Sequence, residues 1–154
     1  MKSKRDDGRF TKTKVSNKVD DLLQYVSIID NIEWKKLSYW QVMRIVKKSG
    51  EDPDLEASLY LKAVNLYDKN YKYLPSLLNG FAWRMTELGR NLPKALEKVN
   101  IALEYGEDIP ILDTKAEVLW KLGRTEDALE IINKCIQGDP NKKHYQDQKA
   151  KFLE

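Results

Sequence analysis

The sequence predicts an all-α chain of antiparallel helical hairpins, and three observations carry that reading. Gly (7) and Pro (5) are sparse among 154 residues, which disfavours a turn-rich β fold. Apolar residues recur at helical spacing from Val19 onward, and no segment alternates with period two strongly enough to form a strand. A tripeptide, Leu88-Gly89-Arg90, returns 34 positions later as Leu122-Gly123-Arg124.

The composition supports a packed body. Hydrophobic residues make up 42% and charged residues 33%, too apolar for a wholly disordered chain. The net charge of +3 is unevenly placed. Residues 1–18 hold seven basic and two acidic groups, a local +5 that leaves the remainder at −2. One cysteine, Cys135, and one histidine, His144, can form neither an internal disulfide nor a zinc cluster. No apolar run approaches the ~20 residues of a membrane helix, and none follows the first charges as a signal peptide would need. These features suit a reducing, cytoplasmic setting.

Residues 1–16 read as a flexible basic tail, since only Phe10 and Val15 are apolar side chains of any size after Met1. Ser16 or Asn17 caps a first helix carrying Val19, Leu22, Leu23, Val26 and Ile29, with Asp20 and Asp21 suiting its dipole. Residues 31–36 read as a connection. Ser38 then caps a second helix with Trp40, Val42, Met43, Ile45 and Val46, closed by Gly50 after Lys47 and Lys48. Asp52-Pro53-Asp54 starts a third helix, expected over Leu55 to Lys69. A fourth runs from Ser76 to Leu88 and a fifth from Lys94 to Glu104, after Leu92-Pro93. The sixth covers Ile111 to Leu122, the seventh Glu126 to Gln137, and the eighth Lys142 to Leu153. Three regions follow: the tail (1–16), a divergent helical region (17–74) and a repeat region (75–154).

Self-similarity is strongest in that last region. Ala82, Ala116 and Ala150 keep a step of 34, as do Met85, Leu119 and Leu153, and Asn79, Asp113 and Asp147. After each Leu-Gly-Arg the step shortens to 33: Ala95-Leu96-Glu97 matches Ala128-Leu129-Glu130, Val99 matches Ile132, and Ala102 matches Cys135. Small residues at fixed positions let helices approach closely, and glycine tolerates the left-handed turn that reverses the chain. One hairpin cannot bury both its faces, so neighbours must stack.

On these residues the chain resembles the tetratricopeptide repeat family. Residues 109–140 carry the resemblance best, with Ala116, Gly123, Ala128 and Pro140 at the family's small, turn, small and closing positions. The preceding unit keeps Ala82, Gly89, Ala95 and Ala102, but has an extra turn residue and Glu107-Asp108 in place of the proline. Residues 142–154 look like a closing helix whose Gln146, Asp147, Lys149 and Lys151 face water. The resemblance implies a short right-handed superhelix. It also implies a concave face lined by Asn79, Trp83, Thr86, Asp113, Glu117 and Trp120. That face would be aromatic and acidic, favouring basic or mixed apolar peptides with Trp as anchor. One subfamily captures a C-terminal carboxylate with basic residues, but Asn79, Trp83 and Thr114 stand at those positions here without a basic pair.

Each candidate has a plainer reading. Trp83 and Trp120 are equally suited to packing between hairpins. Cys135 sits where the repeat needs a small buried residue, and His144 reads as a surface residue without ligand partners. No phosphate-cradling glycine loop and no nucleophile elbow is present. The expected function is therefore a non-catalytic protein–protein interaction scaffold without cofactor or metal. It would bind a protein or peptide, or another copy of itself, and no membrane. An alternative is a nucleic-acid-associated adaptor using Lys2, Lys4, Arg5, Arg9, Lys12 and Lys14, whose phosphate contacts would be salt-dependent. A third reading takes the repeats as the module of a longer enzyme.

Overall fold

A computed structural model describes residues 19–154, and within them every regular element is an α-helix. The tail expected over residues 1–16, with its six candidate nucleic-acid cations, lies outside the described residues. Two compact units divide between Leu66 and Tyr67. No helix among the described residues is long and apolar enough to cross a membrane.

The first unit contains α1 (residues 19–27), α2 (Ile32–Ser49) and α3 (Pro53–Val64). Helix α2 starts inside the stretch expected to be a connection, and Asn31 rather than Ser38 is its cap. The Asn31 side chain accepts hydrogen bonds from the Glu33 and Trp34 backbone N–H groups, each at 3.0 Å. It satisfies two of the donors a helix start leaves orphaned. At the other end Gly50 takes φ 64° and donates to the Val46 carbonyl, with Lys47 and Lys48 in the last turn. Asp52 caps α3 through Leu55 N–H at 2.8 Å, and Pro53 opens it. That helix stops at Val64, short of the expected Lys69, because the chain turns beyond Asn65. Val19, Val26, Val42, Val46 and Leu59 form the core, with Leu22, Leu23, Tyr39, Met43, Ile45 and Leu55 packed around it.

The second unit contains α4 (Leu74–Leu88), α5 (Leu92–Leu103), α6 (Ile109–Lys121), α7 (Thr125–Gly138) and α8 (Lys143–Phe152). Helix α4 packs on α5 and α6 on α7, so each pair is a hairpin. The hairpins meet through α4 against α6 and α5 against α6, and α8 closes the unit on α7 and α6. Ala82, Ala95, Ala102, Ala116 and Ala128 are completely buried, and Cys135 fills an equivalent place. Small side chains bring the helix axes close, while Phe81, Met85, Val99, Leu119 and Ile132 fill the space beside them.

The repeated tripeptide has a definite geometry. Gly89 and Gly123 adopt φ 63° and 76°. Each donates to a carbonyl three residues back, Thr86 and Trp120, and the following arginine donates to Met85 or Leu119. This pair of bonds is the Schellman motif, which needs a left-handed residue where glycine stands. The second turn enters α7 directly after Arg124, whereas the first inserts Asn91 at φ 49° before α5. Asparagine tolerates that conformation better than most residues, and this insertion accounts for the step falling from 34 to 33.

Helix α8 departs from the expected register. A step of 34 would bury Ala150 and Leu153, but both are exposed, Leu153 at 65%. Tyr145, Gln148 and Phe152 are the buried residues instead. An isolated closing helix buries one face only, and the aromatic side chains outcompete an alanine for it.

We expect Gly123→Ala to lower stability by about 1 kcal/mol, because a left-handed alanine is strained. An added Cβ would meet no atom within 4 Å, so packing contributes nothing to the loss. A urea midpoint unchanged from wild type would show that the turn does not impose this conformation.

Candidate functional site

Three elements meet at a cleft of about 430 Å³ in the second unit. Helix α4 contributes Asn79, Gly80 and Trp83. Helix α6 contributes Pro110, Asp113 and Thr114. The start of α8 contributes Lys142, His144 and Tyr145. Periodicity explains the grouping: Asn79 and Trp83 lie one turn apart on α4, and Asp113 faces them from the neighbouring first helix.

Trp83 is half-buried, and its orientation is set by its own helix. The indole Nε1–H donates to Glu87 Oε1 at 3.1 Å, one turn onward, while Arg84 donates to the other Glu87 oxygen at 2.8 Å. Thr86 is buried and turns its hydroxyl onto the Trp83 carbonyl at 2.6 Å. It therefore supports α4 from within.

The two acids of α6 are engaged by α8. Asp113 Oδ2 meets His144 Nε2 at 2.9 Å, and the Gln148 amide approaches the same nitrogen at 3.2 Å. Glu117 accepts a short hydrogen bond from the Lys151 ammonium. Only 9% of Asp113 and 5% of Glu117 is exposed, so neither presents a free negative charge to the cleft. Trp120 stacks on Phe152, with ring centroids 5.6 Å apart and planes at 26°. Lys151 and Lys121 stand 4.6 and 5.0 Å from its centroid.

The six residues expected on one face therefore divide. Asn79, Trp83 and Asp113 line the cleft, Glu117 and Trp120 serve the α6–α8 contact, and Thr86 bonds within α4. Two residues expected to face water stay part-exposed, yet each also bonds an acid of α6. His144 bonds Asp113, and Lys151 bonds Glu117, because a buried carboxylate requires a compensating partner. Lys142 and Tyr145 also join the cleft, placed there by the α7–α8 turn, whose return path no repeat spacing reveals.

Burial has two electrostatic consequences. It pushes the Asp113 carboxyl above its ordinary value of 3.8, against the bond to His144, which draws it down. It also pushes the Cys135 thiol up to about 12, with the Asp113 charge adding to the effect. Cys135 is completely buried, its Sγ 3.8 Å from the Ile109 carbonyl. Among the described residues no three His, Cys, Asp or Glu side chains gather as metal ligands.

Comparison with known proteins returned no match to a family model, a curated protein or a solved structure.

Two outcomes follow. Cys135 should resist a thiol reagent at pH 8 until the protein unfolds, since thiolate and access are both lacking. Rapid labelling of the native protein, at the rate of a free thiol, would contradict this burial. For Asp113, a raised folded pKa means that its stabilising proton is present below 3.8 and lost as pH rises through the folded value. The urea midpoint of Asp113→Asn should therefore gain on wild type as pH rises from 3 through the carboxylate range. A difference that moves the other way would mean that the His144 bond outweighs burial.

Proposed function

We propose that residues 75–154 are a non-catalytic docking scaffold of the tetratricopeptide kind, taking a peptide or protein segment on the face that joins α4 to α6. The observation that carries this reading is the cleft around Trp83. A half-buried indole held by Glu87 offers a large apolar surface already in its bound orientation, which reduces the ordering cost of association. The neighbouring part-exposed Asn79 supplies a side-chain amide at the scale of a peptide backbone. The repeated hairpin geometry, with first helix packed on first helix, supports the same reading. The cleft's carboxylate and imidazole are bonded to each other, and the buried thiol is poorly suited to nucleophilic chemistry.

Capture of binding proteins from native extract, with wild-type, Trp83→Ala and Trp120→Ala chains compared side by side, tests the proposal. Trp83→Ala should reduce specific recovery by roughly tenfold or more while circular dichroism and the urea midpoint stay near wild type. Trp120→Ala should chiefly loosen α8, seen as a lower midpoint. Equal recovery by Trp83→Ala and wild type, or collapse of the Trp83→Ala fold, would remove the cleft from the function.

A further inference from the structure

The charge left over at the cleft has the opposite sign to the one its α6 residues suggest. Asp113 is the one carboxylate in the lining, and it is bonded to His144. Glu117, one turn further along, is bonded to Lys151. Lys142 has no carboxylate within ion-pair distance among the described residues, and its ammonium rests 5.9 Å from the Tyr145 ring centroid. Helix α8 begins at this point with Lys143 and His144 in its first turn, no acidic residue there and no side-chain cap. Its first N–H groups add to the positive potential at the cleft mouth.

The apolar part of the lining is Trp83, Pro110 and Tyr145, large enough together for one branched or aromatic side chain. Two further charges bound the choice of occupant. Asp108 caps α6 two residues before Pro110, and the Asp139 carbonyl accepts from the Lys142 backbone N–H, so two more carboxylates belong to the segments that flank the cleft. A run of acidic residues would meet them and be repelled, whereas a single carboxylate beside Lys142 would not.

We propose that the cleft binds an internal peptide segment bearing one carboxylate side chain next to one apolar side chain. The apolar group enters between Trp83 and Tyr145, and the carboxylate meets Lys142 at the start of α8. This rests on the docking function proposed above and names its ligand. It reverses the preference for basic peptides that the α6 acids suggest, because both acids are already bonded to side chains of α8.

Fluorescein-labelled octapeptide pools test it by anisotropy, each acetylated and amidated so that no terminal charge contributes. The pools share randomised neighbours around a fixed central Leu-Glu, Leu-Gln, Leu-Lys or Glu-Glu-Glu. Leu-Glu should bind about fivefold tighter than Leu-Gln, the scale of one partly exposed charge contact, with Leu-Lys and Glu-Glu-Glu weaker than Leu-Gln. Lys142→Glu should invert the order of Leu-Glu and Leu-Lys. Lys134→Glu, on the exposed side of α7, changes the net charge equally and should leave the order intact. Equal binding of the pools, preference for Leu-Lys or Glu-Glu-Glu, or equal effects of the two lysine variants would overturn the proposal. Were no pool to bind while Trp83→Ala still lost partners from extract, this ligand assignment would fall and the docking function would stand. Absence of both effects would remove the two together.

Discussion

Helix α6 packs against every other helix of its unit: α4, α5, α7 and α8. That centrality is the constraint on which the rest depends. A helix with four neighbours keeps little of its surface for water, and Ile111 to Thr114 and Ala116 to Leu119 are all buried. Two of those residues are carboxylates. Each would cost several kcal/mol if buried alone, so the fold must bring a hydrogen-bonding partner to each. Helix α8 does so with His144 and Lys151, which are seven residues apart and share one helical face. The closing helix is thus matched to α6 by charge as well as by the Trp120–Phe152 stack. It buries few apolar residues of its own, and the polar partners fix where along α6 it settles.

The same requirement explains which parts of the fold could be read in advance. Helix number, order and approximate limits from Leu74 onward follow from local signals: periodic apolar residues, prolines at helix starts and the two Schellman glycines. The alanine step of 34 holds wherever two helices must approach closely, as at Ala82 and Ala116. It fails at Ala150 because α8 has no further hairpin to meet, so nothing there rewards a small residue over Tyr145 and Phe152. The start of α2 was hidden for a different reason. Asn31 and Ser38 are both competent caps by composition, and only the backbone geometry before Ile32 decides between them.

Three of the six expected face residues line the cleft, and its electrostatics could not be read from the sequence. The resemblance and the repeat spacing together put Asn79, Trp83 and Asp113 on one face, and all three line the cleft. Charge does not follow spacing in this way. His144 and Lys151 lie 31 and 34 positions from the acids they meet, and each looks solvent-exposed in its own helix. Whether an acid faces a ligand or a neighbouring helix is a property of tertiary packing. A face predicted from one helix at a time will therefore carry charges that the next helix cancels.

The two tryptophans illustrate how the same side chain acquires different roles on two corresponding helices. Trp83 stands six residues before Gly89 and Trp120 three before Gly123, so they occupy positions about one helical turn apart on the corresponding first helices. Trp120 has a following helix, and its ring is taken up by Phe152, Lys121 and Lys151. Trp83 is tied to Glu87 on its own helix and keeps part of its surface on the cleft. An aromatic ring already committed to a neighbour must break that contact to bind anything else, whereas a ring held by its own helix need not. On the docking function proposed above, recognition at this face would concentrate at Trp83, while the Trp120–Phe152 stack holds α8, whose start carries Lys142 and Tyr145.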